Sequence, residues 1–222
     1  MNKLIKLTLL AILTASVSAF AAGTVSVGYR EKDIEFGKVS DSQGAVVVAS
    51  DVDWKSFSFG VAAESHMTMN STDLYKTSLT AGYKFVSTLA DIKFGTQYRI
   101  ANSPSKQDFA GHYHPFVTVS KGPLAVTARL DLESKLSNIE GSYSNVTNVT
   151  KNVDIKTSVF AGYTDANDAL PKSVKEIKYT NAYYGASVDA SWKMLSIGVI
   201  ALQDGQLDKR NFGWRASVNR SF

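Results

Sequence analysis

The sequence predicts an all-β chain, a single transmembrane antiparallel up-and-down β-barrel of about 12 strands. Three observations lead there. Apolar and polar residues alternate almost throughout, the period of a half-buried strand, and helical periodicity is nearly absent. The alternating runs are nearly uniform at about ten residues, the length a tilted strand needs to cross a bilayer. The connections between runs alternate between short and long. A β-sandwich would also alternate, but it has no reason to keep its strands at bilayer length.

The first element is not a strand. Residues 1–21 place Lys3 and Lys6 before an apolar stretch from Leu7 to Leu13, followed by Ala19-Phe20-Ala21 in the A-x-A arrangement. A secretory signal peptide cut after Ala21 is expected, with Ala19 and Ala22 as alternative cut points and residues 22–222 as the barrel. Losing Lys3 and Lys6 leaves 22 basic against 20 acidic side chains, a net charge of +2, which offers nucleic acid no concentrated basic face. The chain has no Cys, so neither disulfides nor a lipidated cysteine secures it. A closed hydrogen-bonded barrel would hold itself together without them.

The runs lie near 24–34, 44–53, 56–66, 73–86, 89–100, 109–120, 123–133, 137–146, 153–164, 177–190, 195–204 and 211–222. In "DLYKTSLTAGYKF", Tyr75, Leu79, Ala81, Tyr83 and Phe85 share one parity, and Lys76, Ser78, Thr80, Gly82 and Lys84 the other. Short corners are expected at Trp54-Lys55, Ser87-Thr88, Lys121-Gly122 and Trp192-Lys193-Met194. The longer connections are "GKVSDSQG", "MTMNST", "ANSPSKQ", "DANDALPKSVK" and "QDGQLDKRN". Two break the alternation: "TNVTKN" is long where a short turn is due, and "SKLS" is short where a loop is due. Two runs carry irregularities. Pro115 cannot donate to a ladder, so a bulge is expected there, or pairing that starts after it. The first run loses parity after Tyr29, which asks for a bulge near Glu31 or a strand rising above the membrane. Aromatics gather at run ends: Trp54, Phe57, Phe85, Trp192 and Phe222 on the short-turn side, and Tyr75, Tyr98, Tyr113, Tyr163 and Phe212 on the loop side. Two such girdles suit the two bilayer interfaces.

The last run closes on Trp214, Ala216, Val218 and Phe222, one parity ending in an aromatic. With the signal peptide, this resembles the assembly signal of Gram-negative outer-membrane β-barrel proteins. Arg220 departs from it, in a place where an apolar residue is usual, although an Arg so near the end can snorkel to the interface. In length and strand count the chain is similar to the small twelve-stranded monomeric porins, such as the acidic-sugar porins. That resemblance implies residence in the outer membrane, among its lipids and lipopolysaccharide, after handling by the barrel-assembly machinery. It also implies a monomer and a passive channel or structural barrel without cofactor.

If the apolar parity faces lipid, the other parity lines a lumen. The candidate pore-lining charges are Arg30, Asp51, Glu64, Lys76, Lys84, Asp91, Lys93, Arg99, Arg129, Asp131, Lys156, Asp189 and Arg215, together with Lys32, Asp53, Glu133, Glu140 and Asp154. Acids and bases balance, so weak ion selectivity is expected where an acidic-sugar porin would want basic tracks. Strands about 4.8 Å apart and tilted about 40° give a backbone diameter of roughly 24 Å, and side chains leave about 10 Å of it. Small residues such as Gly60, Gly95, Gly162, Gly185 and Gly198 favour a narrow aqueous pore over a plug of interlocked ion pairs. Arg30 and Arg215 stand at similar height on the first and last strands, which closure makes neighbours. They form a candidate anion-binding pair unless each is taken by an acid.

His112 and His114, two apart on one run, point the same way near the mouth beside the loop-end His66. A metal site there is geometrically possible, but wet mouth residues are the plainer reading, and no metal is expected. No G-x-S-x-G or other nucleophile signature accompanies them, so an outer-membrane hydrolase ranks last. The expected function is a porin-like channel for small hydrophilic solutes; the alternative is a non-conducting structural or receptor barrel.

Overall fold

The computed structural model describes residues 22–31, 33–35, 38–40, 44–66, 74–103, 106–165, 180–204 and 210–221. The expected signal peptide, Lys32 and Phe222 lie outside them. The chain is all-β. Its strands are β1 (Ala22–Arg30), β2 (Asp33–Glu35), β3 (Lys38–Ser40), β4 (Ala45–Trp54), β5 (Phe57–His66), β6 (Leu74–Val86), β7 (Asp91–Ser103), β8 (Lys106–Lys121), β9 (Leu124–Asp131), β10 (Leu136–Thr150), β11 (Val153–Asp165), β12 (Thr180–Trp192), β13 (Leu195–Asp204) and β14 (Arg210–Ser221). Twelve of them form a closed antiparallel barrel, and β2 and β3 make a separate two-stranded sheet between β1 and β4. β14 pairs back to β1 from Thr24↔Ser221 to Arg30↔Arg215, so the barrel has no free edge.

The alternation becomes two faces. Along β9, Leu124, Val126 and Leu130 are exposed, while Ala125, Thr127 and Arg129 between them are less so. Exposed apolar residues continue around the barrel through Phe59, Leu79, Phe94, Val117, Ile139, Val159, Val188, Val199, Trp214 and Val218. Hydrocarbon accepts such a surface, whereas water would drive it to aggregate. The aromatic ends take part in this outer face. Trp54, Phe57, Phe85 and Trp192 are exposed at the short-turn end, and Tyr113, Tyr163 and Phe212 at the other. Lys55 Nζ lies 5.2 Å over the Trp54 ring and Lys193 Nζ 5.4 Å over Trp192, so each turn carries a cation beside its interfacial indole.

The short turns have a common backbone device. Lys55, Gly122 and Lys193, each the first residue after its strand, have φ of 55°, 56° and 53°. Tight hairpins need positive φ there to match strand twist. At Gly122 this is free of steric cost, and Pro123 beside it fixes the next φ.

Several expected boundaries are corrected. β1 ends at Arg30, with the Glu31 N–H still donating to the Trp214 carbonyl, and β2 pairs with β3 beyond it; Lys32, where a bulge or a rise would be decided, lies outside the described residues. "TNVTKN" is no long loop, because β10 runs to Thr150 and only Lys151 and Asn152 turn, with a register shift between Asn148 and Thr150. The corner at Ser87-Thr88 widens to residues 87–90, where Ser87 Oγ donates to the Ala90 carbonyl at 2.7 Å. The "ANSPSKQ" loop shrinks because β7 and β8 extend to Ser103 and from Lys106. "SKLS" is short as read, with β9 ending at Asp131 and β10 starting at Leu136.

Pro115 sits unbulged opposite Thr96 on its β7 side, while pairing with β9 starts only at Phe116. Two residues earlier, Tyr113 faces β9: its N–H donates to Glu133 Oε2 at 2.7 Å and its carbonyl accepts from Leu132 N at 3.1 Å. By strand alternation the Pro115 nitrogen faces β9 too, so that ladder lacks one N–H donor there and resumes beyond it with the Leu132-to-Tyr113 bond.

Candidate functional site

The face opposite the exposed apolar residues carries the charges. Its register can be followed around the barrel. Arg215 opposes Arg30, which opposes Ala45, which opposes His66. Glu64 opposes Lys76, Ser78 opposes Arg99, and Arg99 opposes His112. Lys84 opposes Lys93, Val86 opposes Asp91, and Asp51 opposes Gly60. Phe116 opposes Arg129, Lys156 opposes Asp189, and Asp189 opposes Gly198. On β14, Trp214, Ala216 and Val218 sit on the opposite, outer parity, with Arg220 facing Val25.

Arg30 and Arg215 are direct register partners, yet their guanidinium groups turn away from each other. Arg30 Nη2 pairs with Glu64 Oε2, reaching over β4 to β5. Lys76 Nζ stands 3.9 Å from the other Glu64 oxygen. Arg215 forks onto Asp189, with Nε to Oδ1 at 2.7 Å and Nη2 to Oδ2 at 2.6 Å, reaching over β13 to β12. The Arg215 reach depends on a small residue in the strand crossed, Gly198 next to Arg215, while Arg30 passes beside Ala45. A Cβ on Gly198 would collide with Asp189 Oδ1. The two arginines therefore do not form an anion clamp; each is engaged by its own acid. Lys84 and Asp91 add a neighbouring-strand pair at 2.8 Å.

A second group lies toward the loop end of β10–β12. Tyr183 reaches over β11 and donates to Glu140 Oε2 at 2.8 Å, while its hydroxyl accepts from Asn138 Nδ2 at 3.0 Å. Asn138 Nδ2 also donates to Thr164 Oγ1 at 3.0 Å. Tyr183 lies flat because Gly162 is beneath it, where a Cβ would strike the ring; Phe160 lies the same way over Gly185. Tyr183, Asn138 and Thr164 are buried, and so is Leu202 on the same face. The sequence reading assigned Glu140 and Gly162 to this face without joining them to Tyr183. Their connection depends on the register of three strands.

The third group is the histidine pair. His112 Nδ1 lies 3.2 Å from both Asp131 carboxylate oxygens, and His114 Nε2 lies 3.6 Å from Oδ2. The plainer reading of wet mouth residues is corrected for His114, which is only 3% exposed. Asp131 belongs here because the register that puts Phe116 opposite Arg129 brings it opposite His114. Ser134 Oγ approaches the same His112 nitrogen at 3.5 Å. Both the carboxylate and the hydroxyl thus meet Nδ1, whereas a proton relay needs them on opposite ring nitrogens.

No protein-family model and no curated protein matches the sequence. Solved structures match its shape. The chain aligns with the KdgM porin at a TM-score of 0.60 and 12% identity, over 90% of this chain and 99% of that one. The fold is that of the small outer-membrane porins. NanC porin aligns at 0.56 and 11% identity over 88% and 98% of the two chains. The Acinetobacter baumannii outer membrane protein Omp33 aligns at 0.50 and 8% identity over 90% and 98%. A further match at 0.56 and 12% identity, over 90% and 99%, is the KdgM porin in complex with disordered oligogalacturonate. At these identities the likeness lies in the backbone, and the side chains of the inner wall are this chain's own.

Proposed function

We propose that residues 22–222 form a monomeric outer-membrane channel for passive diffusion of small hydrophilic solutes, weakly ion-selective and without catalysis. One observation carries the reading: four polar contacts among the described residues of the inner face run along the wall. Arg30–Glu64, Arg215–Asp189 and Tyr183–Glu140 each cross a single strand, and Lys84–Asp91 crosses none. Charges engaged sideways leave the axis to water, whereas pairs spanning the barrel would close it. A water-filled interior lined by balanced charge screens ions of both signs and selects mainly by width. The exposed apolar belt and its aromatic ends favour a bilayer setting, and barrel closure satisfies the backbone there. The solute bound in the KdgM complex supports a barrel of this fold admitting a hydrophilic chain. The common approach of Asp131 and Ser134 to His112 Nδ1 speaks against hydrolysis.

Single-channel recording in planar bilayers tests this. Steady openings at a nanosiemens or below are expected. Silence from folded protein would favour the structural or receptor barrel.

A further inference from the structure

We propose that His112, His114 and Asp131 form a binding site for a divalent transition-metal ion of the Zn²⁺ class on the inner wall near the loop end. Their ligand atoms all lie within 4.8 Å of one another. Ligands at about 2.0–2.1 Å from a tetrahedral Zn²⁺ stand roughly 3.3 Å apart. The two histidine-to-aspartate separations, 3.2 and 3.6 Å, already match that spacing. The histidine nitrogens close on each other by rotation of their rings, which now stand at 90° to one another.

The backbone prepares the site. Residues two apart on a strand share a face, so β8 delivers both imidazoles to one side. Asp131 ends β9, where it accepts from the backbone N–H of Glu133 at 3.2 Å and of Ser134 at 3.0 Å, both through Oδ1. Those bonds hold the carboxylate as an outer shell would and leave Oδ2 directed at His114. Two imidazoles and a carboxylate suit Zn²⁺, Ni²⁺ or Cu²⁺ and are poor ligands for Ca²⁺ or Mg²⁺. Three protein ligands leave a fourth position for water or for an anionic group of a passing solute. Arg99, the register partner of His112, brings a positive charge nearby, so the affinity falls below that of a purely structural zinc site. The proposal does not depend on whether the barrel conducts.

The test is calorimetric titration of ZnCl₂ into the folded, tag-free protein in detergent, paired with the Cu²⁺ electron paramagnetic resonance spectrum. One saturable site is expected, with nitrogen hyperfine structure from two imidazoles. His112→Gln and His114→Gln, made separately, each weaken binding at least about tenfold and each remove one nitrogen from the spectrum. His66→Gln, on β5, leaves both readouts unchanged. Circular dichroism verifies that each variant is folded, and two independent histidine variants guard against failure of one. No saturable site in the unsubstituted protein, or binding unmoved by either β8 variant, would overturn the proposal.

Discussion

Two sectors of the inner wall use the same geometry for different ends. At the closing seam, Arg30 and Arg215 reach sideways to Glu64 and Asp189, and the Arg215 side chain stays 50% exposed. On β10–β12, Tyr183 reaches sideways to Glu140, yet it is 3% exposed and Thr164 beside it is fully buried. Both reaches cross one strand over a small residue, Gly198 in one and Gly162 in the other. At the seam the Arg215 side chain stays half-exposed over a buried acid; the adjoining sector, which shares β12 with it, is a packed lining. Exposed charge and packed lining thus fall to different residues of neighbouring strands.

The sharpest way to break this comparison is to fill the glycine beneath Tyr183. Gly162→Leu drives a side chain into the ring and lowers stability by about 3 kcal/mol, read as the shift in urea unfolding in detergent, with any remaining folded barrels still conducting. Tyr183→Phe keeps the packing but strips the bonds to Glu140 and Asn138. It costs about 2 kcal/mol on the same assay and leaves ion selectivity alone. The seam responds in reverse. Asp189→Asn releases the Arg215 guanidinium into the lumen with little change in unfolding. An ion passing about 5 Å from one added charge in water feels about 0.8 kcal/mol, so anion preference rises roughly fourfold, measured as the bi-ionic potential. The smallest effect is outside the lumen. Lys193→Ala removes the cation over Trp192 and costs about 0.5 kcal/mol in lipid-bilayer unfolding without touching conduction.

Much of the fold was legible because strand parity is a strict period of two. Leu124, Val126 and Leu130 could face only one way if Arg129 faced the other, and barrel closure alone brought Arg30 beside Arg215. The reading stopped where parity did. On β10, Asn145 and Thr147 hold outer positions and are exposed, so the alternation ends at 146 although the ladder continues to Thr150. The partners were less legible than the faces. Nothing in the spacing of Tyr183 and Gly162 says that one covers the other; that follows from register across β11 and β12. Asp131 was assigned to the inner face and the histidines to the mouth, but only the offset of β9 against β8 unites them. Pro115 likewise reads as a fault in the sequence, yet the β8–β9 ladder passes it with the loss of one donor and resumes between Leu132 and Tyr113.

On this account Arg30, Lys84, Arg215 and Tyr183 are engaged along the wall and leave a balanced aqueous path. The reversal potential of single channels across a salt gradient tests it most directly. Discrete openings that reverse close to zero potential are predicted. A folded barrel that passes no current, or one that reverses near the Nernst limit for a single ion, would contradict it.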